Sequence, residues 1–120
     1  MYLNNIQLIG FLGGDAEMKL TNGDKAFTTF SLATKSTWMK EGQRHEQTEW
    51  HSVVVWGKLG EYAAAFKKGA HILVEGELRS REYDGQNGHV KTYDIVANSI
   101  VNLRKDQRRR EDEDNVEDRP

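Results

Sequence analysis

Cysteine is absent from the 120 residues, and the single proline is the last residue, Pro120. The first absence excludes a disulfide framework and any thiolate metal site, and it suits a reducing compartment. The second leaves the chain before Pro120 without the residue that most strictly interrupts a β-ladder. Long apolar runs are missing as well. The N-terminal MYLNNIQLIGFLGG is too short and too interrupted to span a bilayer, and it lacks the basic start and small-residue cleavage site of a signal peptide. These absences point to a soluble cytoplasmic protein with no membrane partner. Hydrophobic residues make up 37% of the chain, which supports one modest core. A domain with so modest a core often gains stability by oligomerising.

An excess of basic charge is also missing. The net charge is -2, but it is unevenly spread. Residues 106–120, DQRRREDEDNVEDRP, hold seven acidic side chains and four arginines, a net of -3, so residues 1–105 carry +1. Any site for a polyanion on the body must therefore come from local clustering of charge. Residues 106–120 contain one aliphatic side chain, Val116, and no aromatic. A segment so poor in apolar surface is expected to stay disordered, giving a division into a domain at 1–105 and a charged tail at 106–120.

Catalytic signatures are lacking too. His45, His51, His71 and His89 show no metal-ligand spacing, and the acidic residues of the body form no compact cluster for a metal-dependent nuclease. Gly13-Gly14-Asp15 is too short for a phosphate-cradling loop and reads as a turn. No enzyme activity, metal or cofactor is implied.

What the chain does have is strand pattern. YLNNIQLIGFL at 2–12 is apolar on both parities, with Ile6, Leu8 and Leu12 on one and Leu3, Ile9 and Phe11 on the other. AFTTFSLATKS at 26–36 and TEWHSVVVW at 48–56 are rich in the β-branched and aromatic residues that suit a pleated surface. HILVEGELRSREY at 71–83 alternates, placing Ile72, Val74 and Leu78 against Arg79, Arg81 and Tyr83; a fifth strand is expected at 90–103. Between the third and fourth strands, Leu59, Tyr62 and Phe66 fall at helical spacing within 58–69, with Lys67 and Lys68 in the expected last turn and Gly69 as its cap. Asp84-Gly85 and Asn87-Gly88 predict a hairpin whose tip, Asp84–Gly88, is a mobile finger, and Lys40–Gln47 reads as a flexible polar loop. Five strands with one helix between the third and fourth is the order of an OB-fold: all-β with one short helix, closed into a five-stranded barrel.

Parity then sorts the side chains. Trp50 and Trp56 share one face of their strand while Val53 and Val55 take the other. Putting the valines inside leaves two indoles outside, a platform on which any base can stack for about 1–3 kcal/mol each. Arg79, Arg81 and Tyr83 present the same mixture on the next strand, diluted by Glu75 and Glu77. Trp38, beside Lys35 and Lys40, is either another stacking site or a rim residue covering the core.

These residues resemble the bacterial single-stranded DNA-binding protein family over 3–103. The matching pieces are LNNIQLIGFLGGDAEMK, FSLATKSTW, QTEWHSVVVWGKL and KKGAHILVEGELRSREY, in that order. The resemblance implies base stacking by Trp38, Trp50, Trp56 and Tyr83, phosphate contacts from Lys58, Arg79 and Arg81 with Lys35 nearby, and a subunit contact at His51. It also implies a homotetramer, for which the two-sided apolar strand with Leu3, Ile6 and Leu8 supplies a surface. The expected function is sequence-independent binding and protection of single-stranded DNA in replication, recombination and repair. An interaction module of a replication-restart complex on the same fold is the alternative. Three departures stand out. Phe11 replaces a usually polar or basic residue, leaving open a stacking or an interface role. Ser52 lies where some relatives carry a basic residue. The tail, which in relatives ends in an aromatic that docks on partner proteins, ends here in Asp118-Arg119-Pro120.

Overall fold

The computed structural model describes residues 1–104. Its elements are β1 (Ile6–Leu12), β2 (Glu17–Leu20), β3 (Ala26–Lys40), β4 (Gln43–Trp56), α1 (Gly57–Ala63), β5 (His71–Gly85) and β6 (Gly88–Asn102). Two long hairpins, β3–β4 and β5–β6, are joined side by side where β4 meets β6 in parallel at Val53↔Ile95 and Val54↔Val96. β1 pairs along β5 and then crosses to β3 at Phe11↔Ala33 and Leu12↔Leu32. The result is a closed five-stranded barrel in the order β1-β5-β6-β4-β3, with β2 added outside on β3. This is the expected OB-fold.

The barrel closes because each strand offers one apolar parity to its axis. Leu12, Phe30, Leu32, Val53, Val55, Ile72, Val74, Ile95 and Ile100 are buried together. Burying each such side chain contributes about 1.5–3 kcal/mol. On β6 the parity changes partway along. Gly76 pairs with Ala97 and Glu75 with Ser99, so Asn98 is skipped and the inward positions shift from Ile95 and Ala97 to Ile100. α1 covers one end of the barrel, anchored by the Thr28 hydroxyl donating to the Gly60 carbonyl at 2.6 Å.

Several sequence expectations need correction. The helix stops at Ala63 instead of running to Lys68, so Lys67 and Lys68 are not in its last turn. Phe66 still reaches the core, from the turn beyond the helix, while Tyr62 is exposed and packs edge-on against Phe66 at 5.2 Å. Gly69 has φ 88°, as a residue ending a turn requires, but it caps the turn before β5 and not the helix. The first strand begins at Ile6, not Tyr2. Leu78 carries the core parity yet is exposed, because the pairing of β1 with β5 ends at Ile6↔Gly76.

Lys40–Gln47 is not a loop. β3 and β4 stay paired out to Lys40↔Gln43, around a two-residue turn in which Glu41 and Gly42 have φ 52° and 78°. Two successive positive φ values give the turn whose twist matches the strands it joins. The β5–β6 hairpin is likewise tighter than expected: Gly85 pairs with Gly88, leaving Gln86 and Asn87 at its tip. The charged tail at 106–120 lies outside the described residues. No helix among the described residues is long and apolar enough to cross a membrane.

Candidate nucleic-acid interface

The outward parity of β4 carries Trp50, Ser52, Val54 and Trp56. Val53 and Val55 between them have no exposure, so the tryptophans are held from behind by close-packed core, at 61% and 37% exposed. Cross-strand pairing continues this face onto β3, where Trp50 stands opposite Ala33, Ser52 opposite Ser31 and Trp56 opposite Phe27. β6 adds Asp94 and Val96, and β5 adds Arg79 and Arg81.

These side chains line a shallow trough made of two adjoining hollows of about 450 Å³ each. Trp50 bounds one hollow with Gly13, Gly14, Asp15 and Ser31. Trp56 stands in the other with Phe27, Arg79, Arg81, Asp94 and Val96. Lys19, Thr29 and Ser52 belong to both, so the hollows run into each other along a floor of small residues. Ser52 is one of those floor residues, and a long side chain there would divide the trough. Gly13 lies at its end, where a Cβ would collide with the six-membered ring of Trp50 and push the indole aside. That close approach fixes how the indole lies.

The trough's charges are mixed. Arg79 pairs with Glu77 at 2.9 Å, Lys19 with Glu17 at 3.9 Å, and Arg81 is ion-paired to the buried Asp94. The Lys25 ammonium lies 4.9 Å from the Trp56 ring centre, and Phe27 stacks obliquely on the same indole at 4.8 Å. Every one of these cations already has an anionic or aromatic neighbour. The arrangement offers flat apolar faces with hydrogen-bonding edges, more than a field of unpaired positive charge.

Not all the residues singled out in the sequence meet here. Trp50, Trp56, Arg79 and Arg81 line the trough. Lys35 shares its parity, opposite Thr48 further along the hairpin, and is exposed. Trp38 has the other parity: it pairs with His45, stacks on that ring at 5.7 Å, and falls on the opposite face of the β3–β4 hairpin from Trp50. Tyr83 keeps the parity of Arg79 and Arg81 but stands beyond the trough, opposite Val90 near the tip of its hairpin. Lys58 is exposed at the start of α1, outside the lining.

Of the residues assigned to subunit contact, Leu3 is fully in the open ahead of β1, while Ile6 and Leu8 turn inward and pack against the core. The exposed apolar residues of β1 are Ile9 and Phe11. Phe11 lies outside the trough and stacks on His71 at 4.4 Å with the rings 12° apart. His51 sits on the core parity of β4 and shares a hydrogen bond of 2.9 Å with the Thr34 hydroxyl.

Phe27, Lys19 and Lys25 were missed in the sequence. Their signal was available for Lys19 and Lys25: Asn22-Gly23 marks a turn, and the Thr21 hydroxyl accepts from the Gly23 and Lys25 amides there, closing the β2–β3 hairpin that carries both lysines. Phe27 could be found only by extending the parity of Trp56 across the sheet.

A closed OB barrel with an aromatic-walled trough across its sheet is the class of protein that fold and site define. Residues 3–103 match the single-strand binding protein family, and the chain belongs to it. It is 45% identical to a single-stranded DNA-binding protein of Neisseria meningitidis over 86% of this chain and 61% of that one. Identity to the protein of the same description from Xanthomonas campestris is 48%, over 84% of this chain and 60% of the other. The chain thus spans about three-fifths of the length of these curated relatives. Among solved structures it resembles a Plasmodium falciparum SSB in complex with single-stranded DNA, with a TM-score of 0.73 at 28% identity, covering 84% of this chain and 93% of that one. A Thermus aquaticus single-stranded DNA binding protein gives 0.71 at 30% identity, covering 82% and 49%.

Proposed function

We infer that this protein coats single-stranded DNA without regard to sequence, protecting it during replication, recombination and repair in the cytoplasm. The observation that carries the reading is the trough itself: two indoles held by packed core at the ends of a floor of small polar residues. Every base has a π-face, so stacking tolerates any sequence, whereas duplex DNA hides those faces against each other. Trp50 and Trp56 are the stacking residues, with Trp38 and Tyr83 adding to them along the hairpins. Arg79, Arg81, Lys35 and Lys58 contact phosphates as the strand passes. The identity to proteins described as single-stranded DNA-binding supports the reading.

The assembly is a homotetramer. Over Ile6–Gly10, β1 pairs only with β5, which leaves its other edge open, and Ile9 and Phe11 present apolar surface beside it. An open edge flanked by apolar residues favours pairing with a symmetry mate. In that assembly Leu3 and His51 lie near the contacts between subunits.

The test is fluorescence anisotropy of a labelled oligonucleotide, single-stranded or annealed to its complement, with the protein's mass measured by light scattering in parallel. Tight binding of the single strand, weak binding of the duplex and a tetrameric mass are expected. Equal affinity for both forms would overturn the DNA reading. A monomer at micromolar concentration would overturn the assembly.

A further inference from the structure

Asp94 is a carboxylate on a face that has to receive a polyanion. It is one of two buried polar residues of the described chain, 4% exposed, yet it lines the hollow that holds Trp56, Arg79 and Arg81. A buried anion is costly unless it is paired and hydrogen-bonded. The partner is Arg81, two residues along β5 from the position directly across from Asp94, so the contact is a diagonal one on a shared face. Arg81 offers both Nε and Nη2, the first ion-paired to Oδ2 and the second 3.3 Å from Oδ1.

That geometry divides the guanidinium. Of its five N–H groups, two are directed at Asp94 and three are left over. The Arg81 side chain remains 64% exposed while the Asp94 carboxylate is 5% exposed. One edge of the fork is thus fastened inside the sheet and the other is open to the trough. The remaining pairs differ. Glu77 with Arg79, and Glu17 with Lys19, are exposed on both sides, where such pairs hold little order.

The geometry points to Asp94 as a positioning residue for nucleic-acid binding: it fastens one edge of Arg81 so that the other meets a phosphate already oriented. This rests on the single-stranded DNA reading above. Two consequences follow that oppose simple charge counting. Fastening Arg81 removes the ordering cost of a long side chain. It also neutralises the arginine in advance, so that Arg81 adds little to the release of counterions. Each phosphate neutralised on a single strand contributes about 0.7 to the slope of log K against log salt.

The experiment measures affinity for oligothymidylate across a salt series for the wild type, Asp94→Asn and Asp94→Glu. Asp94→Asn removes a negative charge from the binding face, yet it is expected to bind several-fold more weakly at high salt, with the slope steeper by about 0.7 as Arg81 becomes a free cation. Asp94→Glu, which can still engage Nε and Nη2, is expected to restore the shallower slope. Should Asp94→Asn fail to fold, Arg81→Lys replaces it: a point charge without a fork gives the same weaker binding at high salt. Unchanged affinity and slope would make the carboxylate purely structural, and tighter binding at every salt concentration would make it a brake. Either overturns the assignment while leaving the DNA reading intact, whereas a wild type that ignores oligothymidylate removes both.

Discussion

Trp56 and Trp38 belong to one hairpin, β3–β4, and only the first has a core behind it. Trp56 sits where the hairpin forms the barrel wall, next to Val55 and against Phe27. Trp38 sits where the same two strands have left the barrel and pair with nothing but each other, its ring supported by His45. The β5–β6 hairpin repeats the contrast, with Arg81 tied to Asp94 near the wall and Tyr83 opposite Val90 near the tip. A two-stranded ribbon alone is marginally stable in water. On the proposed reading, barrel-supported side chains bind DNA in the positions they already hold, and hairpin side chains are ordered as they bind. The first group should dominate affinity, and the second should adapt to the path of the strand.

The largest effect tests the supported group. Replacing Trp50 and Trp56 together with Ala should cost several kcal/mol of DNA affinity, at about 1–3 kcal/mol per stacked base, with the fold kept because both indoles are outside the core. Anisotropy titration and a thermal melt check both halves of that statement.

A smaller loss comes from moving one indole without removing it. Gly13→Val crowds the Trp50 ring and should lower affinity by less than the roughly 1–3 kcal/mol of a lost stack. A shift in tryptophan emission should accompany it. An unchanged spectrum and affinity would show that Gly13 does not set the ring's position.

Removing hairpin aromatics should matter less again. Trp38→Ala and Tyr83→Ala are each expected to cost under about 1 kcal/mol, because ordering a ribbon offsets much of the stacking gain. Amide exchange separates the regions without mutation. It should be fast around Glu41-Gly42 and over Asp84–Gly88, slow at Val53–Val55, and slowed at the tips when DNA is added. Equal protection of tips and wall in the free protein would dissolve the comparison.

The wall and the β5–β6 turn were legible in the sequence, whereas the outer part of the β3–β4 hairpin was not, for a physical reason. At Trp50–Trp56 one parity must be apolar to fill the barrel, so alternation exposes the fold and the platform together. Beyond Lys35 there is no core to fill, both faces of the ribbon meet water, and Lys40–Gln47 carries no alternation to read. Its turn is Glu41-Gly42, a weaker signal than Asn-Gly. The pairings of Arg81 with Asp94 and of Lys25 with Trp56 were hidden for another reason: they join residues from different strands through the sheet's register, which no local pattern states. The skipped residue at Asn98 is of the same kind. Trp38 drew attention as an exposed aromatic, yet only pairing with His45 reveals that it faces away from Trp50.

The smallest expected effect concerns the acidic segment of the sequence, outside the described residues. We expect the six acidic side chains at 111–118 to compete with DNA for the basic positions of the trough, at high effective concentration because the chain tethers them. Deleting 111–120 should strengthen binding modestly at low salt and hardly at all at high salt, where screening removes the competition. Weaker binding after the deletion would instead make that segment part of the site.

The central claim is that stacking on barrel-held indoles, not attraction between charges, carries the binding. Its most direct test is a titration of intrinsic tryptophan emission with oligothymidylate in molar salt, where phosphate contacts are screened. The account predicts strong, saturable quenching that persists at that salt concentration and that a duplex of equal length does not produce. Loss of quenching in step with rising salt, or equal quenching by the duplex, would contradict it.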